Sequence, residues 1–169
     1  MTTREKTLRR RVRRWLAVFI VGLVGSGLTA FPLETETRWL AAWTAPLAPR
    51  APGLVAWIAR VHEALAETYA RHPFLAYGTD WLAFAHLVIA AAFWGPWRDP
   101  VRNVWVVEWA MIACVGVLPL AFVAGAVRGI PFAWRLIDTS FGVFGLVPLL
   151  FLRRDIRALE RLSGAGDRR

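Results

Sequence analysis

Residues 104–127 have the sequence VWVVEWAMIACVGVLPLAFVAGAV, in which Glu108 is the only charged side chain. At a rise of about 1.5 Å per residue, a helix of this length covers a bilayer core of about 30 Å. The charged turn 99–103 precedes this stretch, and Arg128 ends it. The stretch therefore predicts a transmembrane helix.

Three more apolar stretches lie on either side of this one, each ended by charged residues. Together they predict four spans, at about 15–33, 81–97, 104–127 and 136–152. Pro119 and Pro148 are expected to kink the third and fourth helices. A signal peptide is the alternative for the first stretch, because basic residues precede it. However, the stretch ends at Phe31-Pro32-Leu33-Glu34, which is not a small-x-small cleavage site.

The segment 34–79, between the first two spans, carries too many charges to be a fifth span. Each charge at the centre of a bilayer costs about 2.5–3.5 kcal/mol. From Leu54 onward, however, apolar residues recur at helical spacing, which predicts an amphipathic helix. The residues of this pattern are Leu54, Trp57, Ile58, Val61 and Leu65. A shorter helix is indicated before it by Trp39, Leu40 and Trp43. Packing on the membrane, capping the bundle and docking a partner are alternative roles for the segment.

The composition agrees with a membrane protein. Of the 169 residues, 57% are hydrophobic, and ten are Trp. A soluble enzyme, a disordered tail and a free nucleic-acid binder are excluded on these grounds. Cys114 is the only cysteine, so neither an intrachain disulfide nor a Cys-based metal cluster is expected. The predicted fold class is all-α: a polytopic four-helix transmembrane bundle over 15–152, with the amphipathic insert on its outer, periplasmic side.

The distribution of basic residues predicts the orientation. Most of the 21 Lys and Arg residues lie in the tails 1–14 and 153–169 and in the turn after the second span. Positively charged segments stay in the cytoplasm, so both tails are predicted to be cytoplasmic. We expect these tails to contact anionic lipid headgroups, and the topology explains their charge without nucleic acid.

Ionisable side chains inside the spans are candidate functional residues, because they are costly there. Five polar residues are predicted near the outer face: Asp80, His86, Arg128, Arg135 and Asp138. They form either an ion-paired structural lock or a site for a proton, a quinone, a lipid or a solute. Near the inner face, Glu108 is expected to pair with Arg98 or Arg102.

Small residues in the first and fourth spans are expected to allow close helix contacts. They are Gly22, Gly25, Ser26, Gly142 and Gly145. Their spacing leaves open whether the contacts lie within the chain or with another subunit.

No cofactor and no metal site are predicted. A bis-histidine haem needs two histidines that face each other, and His86 is the only histidine inside a span. Haem is therefore a minor alternative, as is a quinone at the outer polar cluster. The three histidines lack the close spacing of zinc ligands. Asp138-Thr139-Ser140 contains residue types of a hydrolase without a nucleophile motif around them. Enzymatic activity is therefore not expected.

Four segments resemble a group of uncharacterised bacterial four-span inner-membrane proteins. They are Phe31-Pro-Leu-Glu-Thr-Glu36, Tyr77-Gly-Thr-Asp-Trp-Leu-Ala-Phe-Ala-His86, Asp99-Pro-Val-Arg-Asn103 and Arg128-Gly-Ile-Pro-Phe-Ala-Trp-Arg-Leu-Ile-Asp138. The resemblance implies a multi-pass protein of the bacterial inner membrane. It transfers no activity and no catalytic residue.

These features predict a non-catalytic accessory subunit of a larger membrane complex, such as a respiratory or photosynthetic one, with other membrane subunits as partners. The alternative function is binding or transport of a small molecule at the outer polar cluster.

Overall fold

The computed structural model describes residues 2–166 of the chain, with side chains through Ser163. It is 89% helical, and the described residues form no strand. The helices of this part are α1 (Thr3–Ala30), α2 (Leu33–Thr44), α3 (Pro52–Arg71), α4 (Ala76–Ala92), α5 (Trp94–Arg98), α6 (Val104–Pro119), α7 (Gly125–Val127) and α8 (Phe132–Gly166). Short 3₁₀ turns occupy Ala45–Leu47 and Pro73–Leu75.

Four helical segments are long and apolar enough to cross a membrane: Thr3–Ala30, Pro73–Arg98, Val104–Val127 and Phe132–Ser163. The predicted all-α class with four apolar helices is therefore confirmed. Large apolar side chains point outward along them, with Ile112 72% and Phe144 73% exposed. Exposure of each such side chain to water, rather than to an apolar environment, would cost about 1.5–3 kcal/mol. This surface is therefore suited to lipid.

Two of these helices extend well beyond the predicted spans. α1 begins at Thr3 inside the basic segment 1–14, and α8 continues to Gly166. Arg, Lys and Glu favour helices about as well as Leu, so a fall in hydropathy does not end a helix. Both basic tails are accordingly helical, from Thr3 in the first and through Gly166 in the second.

The segment 34–79 is helical, as predicted. α3 corresponds to the amphipathic pattern and begins with Pro52, a residue suited to the first helical turn. Ile58 is its one buried side chain, with 4% exposed. Glu67 and Arg71 form an ion pair of 2.9 Å across one turn.

The chain divides into two units, which are described separately. One consists of Leu23–Val88, and the other combines the chain up to Gly22 with the chain from Ile89 onward. We call them the insert unit and the main unit. The core of the main unit comes from α1, α6, α8 and the turn at Phe93, and its fully buried side chains include Val12, Leu16, Phe93, Val107, Leu149, Leu152, Ile156 and Leu159.

Side-chain contacts in the main unit show that α8 runs antiparallel to both α1 and α6. Arg11 faces Asp155, and Trp15 stacks on Phe151 with ring centroids 5.0 Å apart. Glu108, in the second turn of α6, contacts Arg153 of α8. The beginnings of α1 and α6 and the end of α8 therefore lie at the same end of the main unit, which we call the basic end.

Pro119 and Pro148 affect their helices differently. After Pro119 the hydrogen-bond ladder widens into a π-helical turn, Leu120–Ala124, which is one way to accommodate the missing N–H of proline. Pro148 lies inside α8, which continues through it.

Gly129 ends α7. Its φ of 69° is left-handed, and the Ile130 N–H donates to the Gly125 carbonyl at 2.8 Å, as in a glycine C-cap. Residues 128–131 then lead directly into α8.

Candidate functional sites

Glu108 joins α6 to α8 through two charge-assisted hydrogen bonds. Its Oε1 accepts from Arg153 Nε at 2.8 Å and from Arg157 Nη2 at 3.0 Å. Arg157 also donates to Glu160 Oε2 at 2.9 Å. Because Arg153 and Arg157 are four residues apart, both reach the same side of α8. One carboxylate therefore links two consecutive turns of the facing helix.

The partners expected for Glu108 were Arg98 and Arg102, and the structure replaces them with arginines of α8. Glu108 faces α8 from inside α6, whereas Arg102 belongs to the turn before α6. The backbone N–H of Arg102 donates to Asp99 Oδ1 at 3.0 Å within that turn. The sequence analysis did not predict Arg153 and Arg157 as partners of Glu108. Their spacing of four residues, which places both on one helix face, was a signal that could have indicated them.

A second ion pair of the basic end is buried and was not predicted. Arg11 Nε lies 3.0 Å from Asp155 Oδ2, and the side chain of Asp155 is only 3% exposed. The Arg11 N–H is not aligned with this oxygen as a hydrogen-bond donor, and no other donor among the described residues reaches it. The contact is therefore an ion pair whose acid has lost its water without gaining a full set of hydrogen bonds.

The five residues of the predicted outer polar cluster are divided between the two units. Asp80 and His86 belong to the insert unit, and Arg128, Arg135 and Asp138 belong to the main unit. His86 Nδ1 lies 2.8 Å from the Leu82 carbonyl, one turn earlier in α4. Because a carbonyl oxygen only accepts, Nδ1 is the donor of this hydrogen bond.

In the main unit, Arg135 packs on an aromatic ring and a helix backbone. Its guanidinium carbon lies 5.6 Å from the centroid of Phe132, and its Nη1 donates to the Phe122 carbonyl at 3.5 Å. Asp138 is half-buried, and Arg128 is exposed. Within the main unit, the described residues include no ion pair between Asp138 and either arginine.

The predicted small residues fall into two groups according to what surrounds them. A Cβ on Gly142 would lie 2.5 Å from the Cys114 carbonyl oxygen, and one on Gly145 would lie 3.0 Å from the Cys114 Sγ. Both glycines therefore serve the contact between α6 and α8. Gly27 similarly packs against Ala83, His86 and Leu87 of α4.

The other group lies on α1 and is open. A Cβ on Gly22 or Gly25 would meet no other described atom within 4 Å, and Ser26 beside them is exposed. Spacings of three and four residues place Gly22, Gly25 and Ser26 on one helix face. We call these three residues the open seam.

A groove of about 560 Å³ at the basic end is lined by six cationic residues. Five of them lie along α1 and one follows Trp97: Lys6, Arg9, Arg10, Arg13, Arg14 and Arg98. Val12, Ala17, Trp97 and Pro100 complete the lining. The buried face of α1, with Leu8, Val12, Leu16 and Phe19, leaves the arginine face directed away from the core. We call this feature the basic groove.

The second wall of the basic groove is held by hydrogen bonds. Asn103 Nδ2 donates to the carbonyl of Asp99 at 2.9 Å and to that of Gly95 at 3.3 Å. The side chain of Asp99 in turn accepts the N–H of Arg102. These bonds fix the turn that carries Trp97, Arg98 and Pro100.

The insert unit has a smaller groove, of about 260 Å³, lined by Asp80 and four aromatic residues. The aromatic residues are Phe31, Tyr77, Trp81 and Phe84. Trp81 makes edge contacts with both Tyr77 and Phe84, at centroid distances of 5.9 and 6.1 Å. We call it the aromatic groove. A carboxylate among π faces is suited to an organic cation.

Among residues 2–166, no three His, Cys, Asp or Glu side chains are grouped closely enough to hold a metal ion. No protein-family model, curated protein or solved structure matches the chain.

Proposed function

We propose that this chain is a non-catalytic accessory subunit of a larger assembly in a bacterial inner membrane. In this proposal, the open seam of α1 is the surface that contacts a helix of another subunit. The observation that carries the proposal is the difference between glycines that are packed inside the chain and the open pair Gly22 and Gly25.

Small residues in membrane helices allow close contact between helices. Lipid chains are as apolar as leucine, so helices associate in a bilayer through close packing, which small residues permit. In a helix interior, glycine is less favourable than alanine by about 1 kcal/mol. Gly142 and Gly145 offset this through contacts with α6, whereas Gly22 and Gly25 have no such contact among the described residues. A partner helix would supply it.

The proposed setting follows from the charges of the basic end. Both basic tails lie at the basic end of the main unit. By the positive-inside rule, this supports a cytoplasmic location for that end. The bacterial inner membrane is supported by the sequence resemblance alone. The segment 34–79 would then lie on the periplasmic side.

The open seam can be tested by filling it. We expect the native chain, purified in mild detergent from its own membrane, to migrate with a stoichiometric membrane partner. Gly22→Leu with Gly25→Leu should remove that partner, because two isobutyl groups prevent close helix approach. Gly116→Leu is the control, since Gly116 is also open but has no second glycine or serine three or four residues away on its helix to form a seam. Migration of the native chain alone, or retention of the partner by the double variant, would contradict the proposal.

A second candidate function, binding of a small organic cation, is supported by the aromatic groove. Cations over an aromatic face gain about 0.5–2 kcal/mol, and Asp80 adds an opposite charge. We expect choline to bind the chain reconstituted in nanodiscs, and Asp80→Asn and Trp81→Leu each to weaken binding. Phe74→Leu, at an exposed aromatic residue outside the groove, should leave binding unchanged. Absence of choline binding by calorimetry would reject this candidate.

A further inference from the structure

We infer that the basic groove is a binding site for one anionic phospholipid, whose phosphate is held by the arginines of α1 and whose acyl chains leave along the apolar end. This inference is independent of the accessory-subunit proposal, because it concerns a different surface of the chain.

The positive charge of the basic groove is largely uncompensated. Six cations line the groove, and among the described residues no carboxylate lines it. Of the six, Arg9 alone has an ion-pair partner among the described residues, Glu5 at 3.1 Å. Like charges around one cavity repel each other, and an anion placed between them removes that repulsion. Arg11, which does have a deep carboxylate partner, belongs to the other side of α1.

Polar and apolar lining residues are distributed unevenly along α1. The cations extend from Lys6 to Arg14, and the next lining residue is Ala17. Over these residues the helix rises about 16 Å. Trp97 and Pro100 add apolar surface from the opposite wall. Along α1 the lining therefore changes from cationic to apolar toward Ala17, which is the order of a phospholipid from headgroup to acyl chain.

This distribution also decides between ligand classes. A nucleotide or a nucleic acid would use the arginines but would leave the apolar end uncovered. Basic pockets at helix ends are a known setting for acidic lipid headgroups. The hydrogen-bonded turn around Asn103 fixes one wall before any ligand enters, which reduces the ordering needed on binding.

The test uses the full chain in detergent micelles, with bound lipids counted by native mass spectrometry. Phosphatidylglycerol and phosphatidylcholine with identical acyl chains serve as probes. We expect the native chain to prefer phosphatidylglycerol. The double variant Arg10→Gln with Arg13→Gln should bind phosphatidylglycerol about 25-fold more weakly, because the loss of each cation lowers the affinity about fivefold. Both side chains are exposed, so the fold should be retained.

The matched control is Arg154→Gln with Arg161→Gln, which removes the same charge from exposed positions outside the groove. We expect this control to change the affinity less than twofold. An equal loss in both double variants would show diffuse attraction and overturn the site, as would no loss in either. Inorganic phosphate that binds as tightly as phosphatidylglycerol would overturn the lipid assignment. So would a short DNA duplex whose binding depends on Arg10 and Arg13.

Discussion

At the scale of single residues, Arg11 and Asp155 form a pair whose two members differ in their access to water. The Arg11 side chain is 35% exposed, and that of Asp155 is 3% exposed. Replacing Arg11 strands a buried charge, whereas replacing Asp155 leaves an arginine that still reaches solvent. We therefore expect Arg11→Gln to lower the free energy of unfolding by about 3–5 kcal/mol, and Asp155→Asn to lower it less. Denaturant unfolding in micelles measures both.

The control for this pair is Arg154→Gln, which removes an exposed charge one residue from Asp155. We also expect Arg11→Met with Asp155→Leu to recover much of the lost stability, because apolar side chains of similar size can replace a buried pair. Equal losses for the two single variants would show that burial of Asp155 does not govern the pair.

Glu108 gives a second prediction at this scale. It bonds two arginines of another helix, whereas Glu160 bonds Arg157 within α8. We expect Glu108→Gln to lower the thermal unfolding midpoint by about 2–4 °C. Glu160→Gln should change it little, since exposed pairs within one helix contribute little. A larger shift for Glu160→Gln would contradict the assigned role of Glu108.

At the scale of elements, the contact between α6 and α8 depends on Gly142. An added Cβ there would lie 2.5 Å from the Cys114 carbonyl oxygen and 3.2 Å from the Val117 Cβ. The carbonyl belongs to a helix backbone and cannot rotate away, so the two helices must separate. We expect Gly142→Ala to reduce stability by about 1–3 kcal/mol.

Gly116→Ala is the control for that substitution, because its Cβ would meet no other described atom within 4 Å. The higher helix propensity of alanine should then raise stability, by at most about 1 kcal/mol. Unfolding of both variants in the same micelle checks the pair. A neutral Gly142→Ala would mean that α6 and α8 are not held at this distance.

The elements were largely predictable, and the contacts between them were only partly so. Uncharged runs around Val115 and Phe144 indicate spans, because a charged side chain is costly in lipid whatever its tertiary contacts. The absence of charges can therefore be recognised from the local sequence alone. The extension of α8 was not predicted, because the basic residues from Arg153 onward end the uncharged run that indicates the span. Yet Leu149, Leu152, Ile156 and Leu159 continue at helical spacing, and Asp155 falls on the same face.

The basic groove was also not predicted, for a geometric reason. Its arginines are visible in the sequence, but Trp97 and Arg98 come from a distant turn. Which chain segment faces a helix depends on tertiary packing, and no local periodicity encodes it. The partners of Glu108 were missed for the same reason, since they follow it by 45 and 49 residues.

At the scale of the whole molecule, the orientation in the membrane remains a prediction that labelling can check. Cys114→Ala removes the single thiol, and Arg102→Cys and Arg128→Cys then place one at each end of the third span. Because basic segments stay inside, we expect a membrane-impermeant maleimide to label position 128 in intact cells and position 102 only after permeabilisation. Both residues are exposed, so accessibility on the protein is matched. The reverse pattern would invert the topology.

The turn at Gly129 has a consequence for biosynthesis. Only residues 128–131 separate α7 from α8, and the glycine cap reverses the chain within them. A connection of four residues is too short to let the third span enter the bilayer while the fourth span is still far from it. In the predicted topology, the third and fourth spans would therefore insert as one hairpin, and Arg128, the single charge in its turn, would cross the membrane with them.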